Sequence, residues 1–173
     1  MQFNLTNSIQ ILEKTPAVLK ELLSGLSPEW VMNNEGPETW SPYDVLGHLV
    51  HGEKTDWIVR LNIILGNGMD KRFVPFDRFA QFEESKGKSI NQLLVEFAEA
   101  RSDNLIILKS KNIFIKDLQK TGIHPKFGEV DLSQLLASYT IHDLTHIAQI
   151  TRVMAKQYKE AVGPWVEFFR VIQ

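Results

Sequence analysis

The stretch from Leu132 to Tyr158 repeats apolar residues at helical spacing and opens on Asp131 and Gln134, a capping pair that marks where the helix begins. An amphipathic helix of this length has to lay its apolar face against other elements, because packing rather than propensity stabilises it. At about 100° per residue that face is mixed: Leu135, Tyr139, His142, His146, Gln149, Val153 and Gln157 share one stripe. Polar side chains on a core face are costly without partners, so the stripe predicts a cavity, ordered water or a metal. His142 and His146 stand four residues apart, which projects both imidazoles from one face at metal-ligand spacing.

Other segments carry the same periodicity. Ile9, Leu12, Pro16, Leu19, Leu23 and Leu26 mark a first helical face that ends near Gly25. Pro16 leaves two readings: one helix kinked there, or a second helix capped by Thr15 with Pro16 at its first position. Leu26 to Thr39 reads as a loop with one turn around Trp30. Ser41, Pro42 and Asp44 form the strongest helix start in the chain, predicting a helix to about Leu65, where Gly66-Asn67-Gly68 stops it. Ser89 with Gln92 opens another, read as structural core, through Ile90, Leu93, Leu94, Phe97, Ala98, Leu105 and Leu108 to about Lys109. After Gly163-Pro164, Trp165 to Phe169 predicts a short final helix packing its aromatics back on the rest.

On the helix opened by Ser41, Val45, His48, Leu49, Gly52 and Asp56 lie close to one line, with Trp57 in the apolar arc beside it. His51 falls on the remaining stripe and is expected to face water. A lone histidine on an apolar face is more often a hydrogen-bonded core residue than a ligand. Joined to an inward pair on another helix, His48 completes three imidazoles with open coordination, the ligand count of catalytic metal sites.

Two connections lack helical periodicity. Gly66 to Lys88 either lays Phe73, Phe76 and Phe79 over the site as a pocket wall, offering Arg78 to an anionic group, or is a surface loop pinned by its phenylalanines. In Asn112 to Val130, Phe114 and Ile115 suggest a short extended piece, and His124 is a remote fourth ligand choice.

The 173 residues read as one domain, 1–173. Zero cysteines exclude disulfides and thiolate ligands, so any metal is held by N and O donors, and a cytoplasmic location is expected. Nineteen basic against 21 acidic residues give a net charge of −2, and the lysines between 109 and 126 are offset by Asp117 and Glu129, so nucleic-acid binding is not expected. No apolar run approaches the ~18 residues of a membrane span.

Trp40-Ser41-Pro42 followed by His48-Leu49 and Glu53, with His142-Asp143-x-x-His146-x-x-Gln149-Ile150 and the tail from Met154 to Gly163-Pro164-Trp165, resembles the DinB-like superfamily over about Thr15 to Trp165. The resemblance implies an all-α four-helix bundle in up-up-down-down order with a long crossover, a divalent ion (zinc or nickel foremost) on His48, His142 and His146, and a homodimer. It also implies thiol S-transferase or hydrolase chemistry on a small molecule, with a low-molecular-weight thiol as one candidate partner.

Three neutral imidazoles suit several divalent metals and leave room for a bound water or thiol. Asp143 stands where zinc proteases of the His-Glu-x-x-His type carry their base, but it lies about 100° round the helix from His142 and is assigned a supporting role. Glu53, Asp56, Trp57, Arg78, Tyr139 and Gln149 complete the candidates around the site, with Arg78 and Tyr139 projected as substrate contacts. The competing reading is a non-catalytic bundle whose metal site is structural or vestigial and whose role is dimerisation or partner binding. Ligand imidazoles must be neutral to bind, so metal affinity is expected to fall between about pH 8 and about pH 5.

Overall fold

In the computed structural model, which describes residues 1–173, α1 (Leu5–Leu23) is capped by Asn4, whose side chain accepts from the Asn7 N–H at 3.0 Å. Pro16 lies inside this one continuous helix. It has no N–H to give the Leu12 carbonyl, and Arg101 Nη1 donates to that oxygen instead at 2.8 Å. A buried arginine thus lets the helix pass through its proline. The turn around Trp30 is α2 (Pro28–Met32).

Ser41 caps α3 (Pro42–Thr55) reciprocally: its Oγ accepts from Asp44 N–H at 3.2 Å, and Asp44 Oδ2 accepts from Ser41 N–H at 2.9 Å. The helix expected to run unbroken to Leu65 is interrupted at Asp56 (φ −115°, ψ −72°) and resumes as α4 (Trp57–Leu65). Thr55 Oγ1 donates to the His51 carbonyl at 2.8 Å, a side-chain bond of the kind that bends helices. After the short α5 (Ala80–Glu84) come α6 (Ile90–Ser110) and α7 (Leu132–Lys156), both opened by the expected capping boxes.

Two apolar clusters fill the bundle. One joins Leu19, Leu23, Val45, Leu49, Leu93, Phe97 and Ile150; the other joins Leu12, Leu61, Ile64, Leu105, Leu108, Leu132 and Leu136. Burying each such side chain contributes about 1.5–3 kcal/mol. The C-terminal half of α1 therefore meets the N-terminal halves of α3 and α6 and the C-terminal half of α7. The four-helix bundle is the expected one. Its directions are not: they run up, down, down, up, correcting the up-up-down-down order. The parallel neighbours α3–α4 and α6 require the chain to return along the bundle, and the single long crossover, residues 66–89, does this.

The crossover carries α5 and one parallel bridge from Arg72 to Ile123, so it is more regular than expected. Between α6 and α7 a 3₁₀ turn occupies Ile115–Gln119, where an extended piece was expected. The strands lie later, β1 (Thr121–His124) and β2 (Gly128–Asp131), paired antiparallel. A Cβ on Gly122 would fall 2.6 Å from Phe73 Cζ, so glycine is what allows that ring to pack under the hairpin. The C-terminus forms 3₁₀ turns, with Trp165 65% and Phe168 70% exposed; Ile172, rather than these aromatics, is what packs inward.

Candidate metal centre

α3 and α7 run antiparallel and adjacent, which sets His48 opposite the His142–His146 pair. His48 Nε2 lies 3.0 Å from His142 Nε2, and His146 Nε2 lies 3.1 Å from the same atom. One donor nitrogen from each ring falls within 4.8 Å of the others. Nitrogens bound tetrahedrally to one Zn²⁺ are separated by about 3.3 Å, and the two pairs that share His142 Nε2 are already close to that spacing. His146 Nδ1 donates to Gln149 Oε1 at 2.8 Å, which leaves its Nε2 lone pair pointing at the cluster. The Nδ1 atoms of His48 and His142 are buried without a hydrogen-bond partner.

Burial is the first cause that keeps all three rings neutral. His48 is pulled down to about 3, by desolvation and then by the neighbouring His146, His51 and Arg78. His142 falls to about 2 and His146 is also lowered, each first by burial. Three neutral nitrogens with lone pairs converging are a ligand set for a divalent ion.

The cluster floors a cleft of about 590 Å³ bounded by Trp40, Phe76, Arg78, Gln149 and Arg152. Phe76 stands edge-on to His48 with centroids 5.4 Å apart, and Trp40 lies 4.9 Å from the same ring. The pocket wall expected from Phe73, Phe76 and Phe79 reduces to Phe76: Phe73 is in the core and Phe79 is exposed outside the cleft. Arg78 does face the cleft.

Behind the histidines sits a buried polar layer. Arg101 donates Nη1 and Nη2 to the two Asp143 oxygens at 2.6 and 2.8 Å and Nη2 to Glu53 Oε1 at 2.9 Å. Tyr139 donates to Glu53 Oε2 at 2.5 Å and Asn104 Nδ2 to the same oxygen at 2.9 Å. Burial opposes the Arg101 charge, but the Asp143 hydrogen bonds and Glu53 raise its pKa on balance; burial and then Glu53 raise that of Tyr139. Tyr139 is thus committed to Glu53 and 2% exposed, not a substrate contact. Trp57 stacks on Tyr139 at 4.7 Å and meets His142 edge-on at 5.1 Å.

Asp143 is fully buried, with both oxygens held by Arg101. Asp56 pairs with Arg60 at 2.6 Å, and burial nonetheless holds its carboxyl up at about 6. His51 corrects the sequence reading. It is 6% exposed, its Nδ1 is 3.0 Å from both Glu84 oxygens, and Phe76 covers it, because α5 and the crossover close over the stripe expected to face water. His124 lies in the hairpin, its Nδ1 accepting the backbone N–H groups of Lys126 and Phe127, remote from the cluster.

Arg101 and Asn104 lie on a helix whose sequence reads as structural core, and neither is among the residues expected at the site. Their signal was position: both continue the stripe from Phe97 to Leu105 and Leu108, where a polar residue needs a buried partner.

The family model of the DinB superfamily matches residues 11–150. The chain belongs to the DinB superfamily. Among solved structures, YfiT from Bacillus subtilis, described as a probable metal-dependent hydrolase with an unusual four-helix bundle topology, superposes with a TM-score of 0.73 at 21% identity, covering 92% of this chain and 87% of that one. At that identity the likeness shows the fold. A search of curated proteins finds no match. This DinB-superfamily chain has no helix long and apolar enough to cross a membrane.

Proposed function

We propose that the protein is a metal-dependent enzyme in which His48, His142 and His146 hold a divalent ion, zinc or nickel, facing a small-molecule substrate. The observation that carries this is the meeting of three neutral imidazoles, His48 buried and His142 and His146 half-buried, at the floor of an open cleft. A divalent ion bound there supplies Lewis acidity and lowers the pKa of a water or thiol. Gln149 fixes the tautomer of His146, while the Arg101–Asp143 pair fixes the turn of α7 between the two ligands. Trp40 and Phe76 keep water from the flanks of His48. One arginine against two carboxylates also leaves the layer behind the site one formal negative charge, which favours a cation on the histidines.

Hydrolysis and thiol S-transfer both use this arrangement. Hydrolysis is favoured in this reading by the likeness to YfiT, and a low-molecular-weight thiol is the partner in the transferase form; a homodimer is proposed for either. Elemental analysis of purified protein tests the proposal. About one divalent ion per chain is expected, absent from His48→Ala and His142→Ala. Metal-free protein whose stability does not change with added zinc or nickel would overturn it.

A further inference from the structure

We propose that Arg78 is an anion-binding subsite of the cleft, so that the substrate is a small molecule carrying a carboxylate or phosphate group; this rests on the cleft being the substrate site. The two arginines at the cleft differ in what they already hold. Arg152 grips Glu35 through Nη2 at 2.6 Å and Nε at 2.9 Å, and Lys156 reaches the same carboxylate at 2.7 Å. Arg78 makes no ion pair or hydrogen bond within the chain. Its guanidinium lies instead over the Trp40 ring, 5.7 Å from the centroid, and over the Phe79 ring at 5.5 Å.

These ring contacts hold the guanidinium beside the cleft and leave its N–H donors free. A planar fork of unused donors takes a carboxylate or phosphate by paired, charge-assisted hydrogen bonds. Trp40 links this cation to the histidines, since the ring that carries Arg78 also lies 4.9 Å from the His48 ring. An anionic group on Arg78 and a reacting centre over the histidines therefore fit within one small molecule.

The test is an NMR titration of metal-free and zinc-loaded full-length protein with benzoate, phenyl phosphate and neutral benzamide. At least one anion should bind about tenfold more tightly than benzamide in the metal-free protein, where no ion can supply the attraction. Arg78→Met should erase that preference without altering metal content, and Arg78→Lys should keep part of it. The better anion distinguishes a carboxylate from a phosphate substrate. Equal binding of anions and benzamide, a preference that survives in Arg78→Met, or one lost only in Arg152→Met would overturn the proposal. A chain that takes up no metal yet shows an Arg78-dependent preference would sink the metalloenzyme reading and leave this one standing. Metal uptake with no effect of Arg78→Met would do the reverse.

Discussion

Arg101 on α6 grips Asp143 on α7 with both ends of its guanidinium, at 2.6 and 2.8 Å, where the two side chains are 1% and 0% exposed. Asp143 is the residue immediately after His142. The pair therefore sets how α7 is rotated, and with it where His142 and His146 point. The same guanidinium satisfies the Leu12 carbonyl that Pro16 leaves open, so a single side chain ties α1, α3, α6 and α7 at one level.

Breaking this layer on one side should be severe. Arg101→Met strands two buried carboxylates and is expected to lower stability by about 3–5 kcal/mol in urea denaturation. Asp143→Asn keeps the shape but loses the charge, and a smaller loss of about 1–3 kcal/mol is expected. Equal stability of Arg101→Met and wild type would show that the network holds nothing.

Tyr139→Phe separates structure from substrate binding. It removes a donor to the Glu53 carboxylate and should cost about 1.5–3 kcal/mol, with metal content unchanged. Bound metal falling in proportion to the hydroxyl's removal would place Tyr139 in the site itself.

Gly122→Ala should disturb the hairpin, because the new methyl group meets the Phe73 ring. A loss of about 1–3 kcal/mol is expected, measured as a shift in denaturation midpoint, with the histidine cluster untouched.

Acid dependence follows from the lowered histidine values. The rings take up protons near 6.5 when unfolded but remain neutral in the fold, His48 down to about 3. Between those values the unfolded chain binds more protons, so the metal-free protein should be unaffected above about pH 6.5 and lose stability as pH falls below it. Asp56, raised to about 6 from 3.8, opposes this, contributing stability that is lost as pH rises through that window, but it is one group against three. Metal affinity of the folded protein should also persist below 6.5, unlike the fall between about pH 8 and about pH 5 expected for ordinary imidazoles. Thermal melts and metal retention across this range check both; release of metal with a midpoint near 6.5 would contradict ligands held neutral by the fold.

Much of this was legible along the chain. The capping pairs Ser89–Gln92 and Asp131–Gln134 and the inward projection of His48, His142 and His146 depend on residues within a turn or two of each other, and helical geometry converts that spacing into direction. Asp143 could be moved from a base to a support on the same ground.

His51 shows where local geometry stops. Its helix wheel places it opposite the core, yet α5 arrives from a crossover whose path no wheel contains, and Glu84 and Phe76 bury it. Arg101 shows the same from the other side, since its partners Leu12, Glu53 and Asp143 lie on three other helices. Sequence by itself determined the main helices and the inward direction of the three histidines, because periodicity is a short-range property of the backbone. Only the tertiary structure decided the up, down, down, up order, the arginine layer and the unpaired Arg78 beside Trp40, because each depends on which distant surfaces come together and which charges are already satisfied when they do.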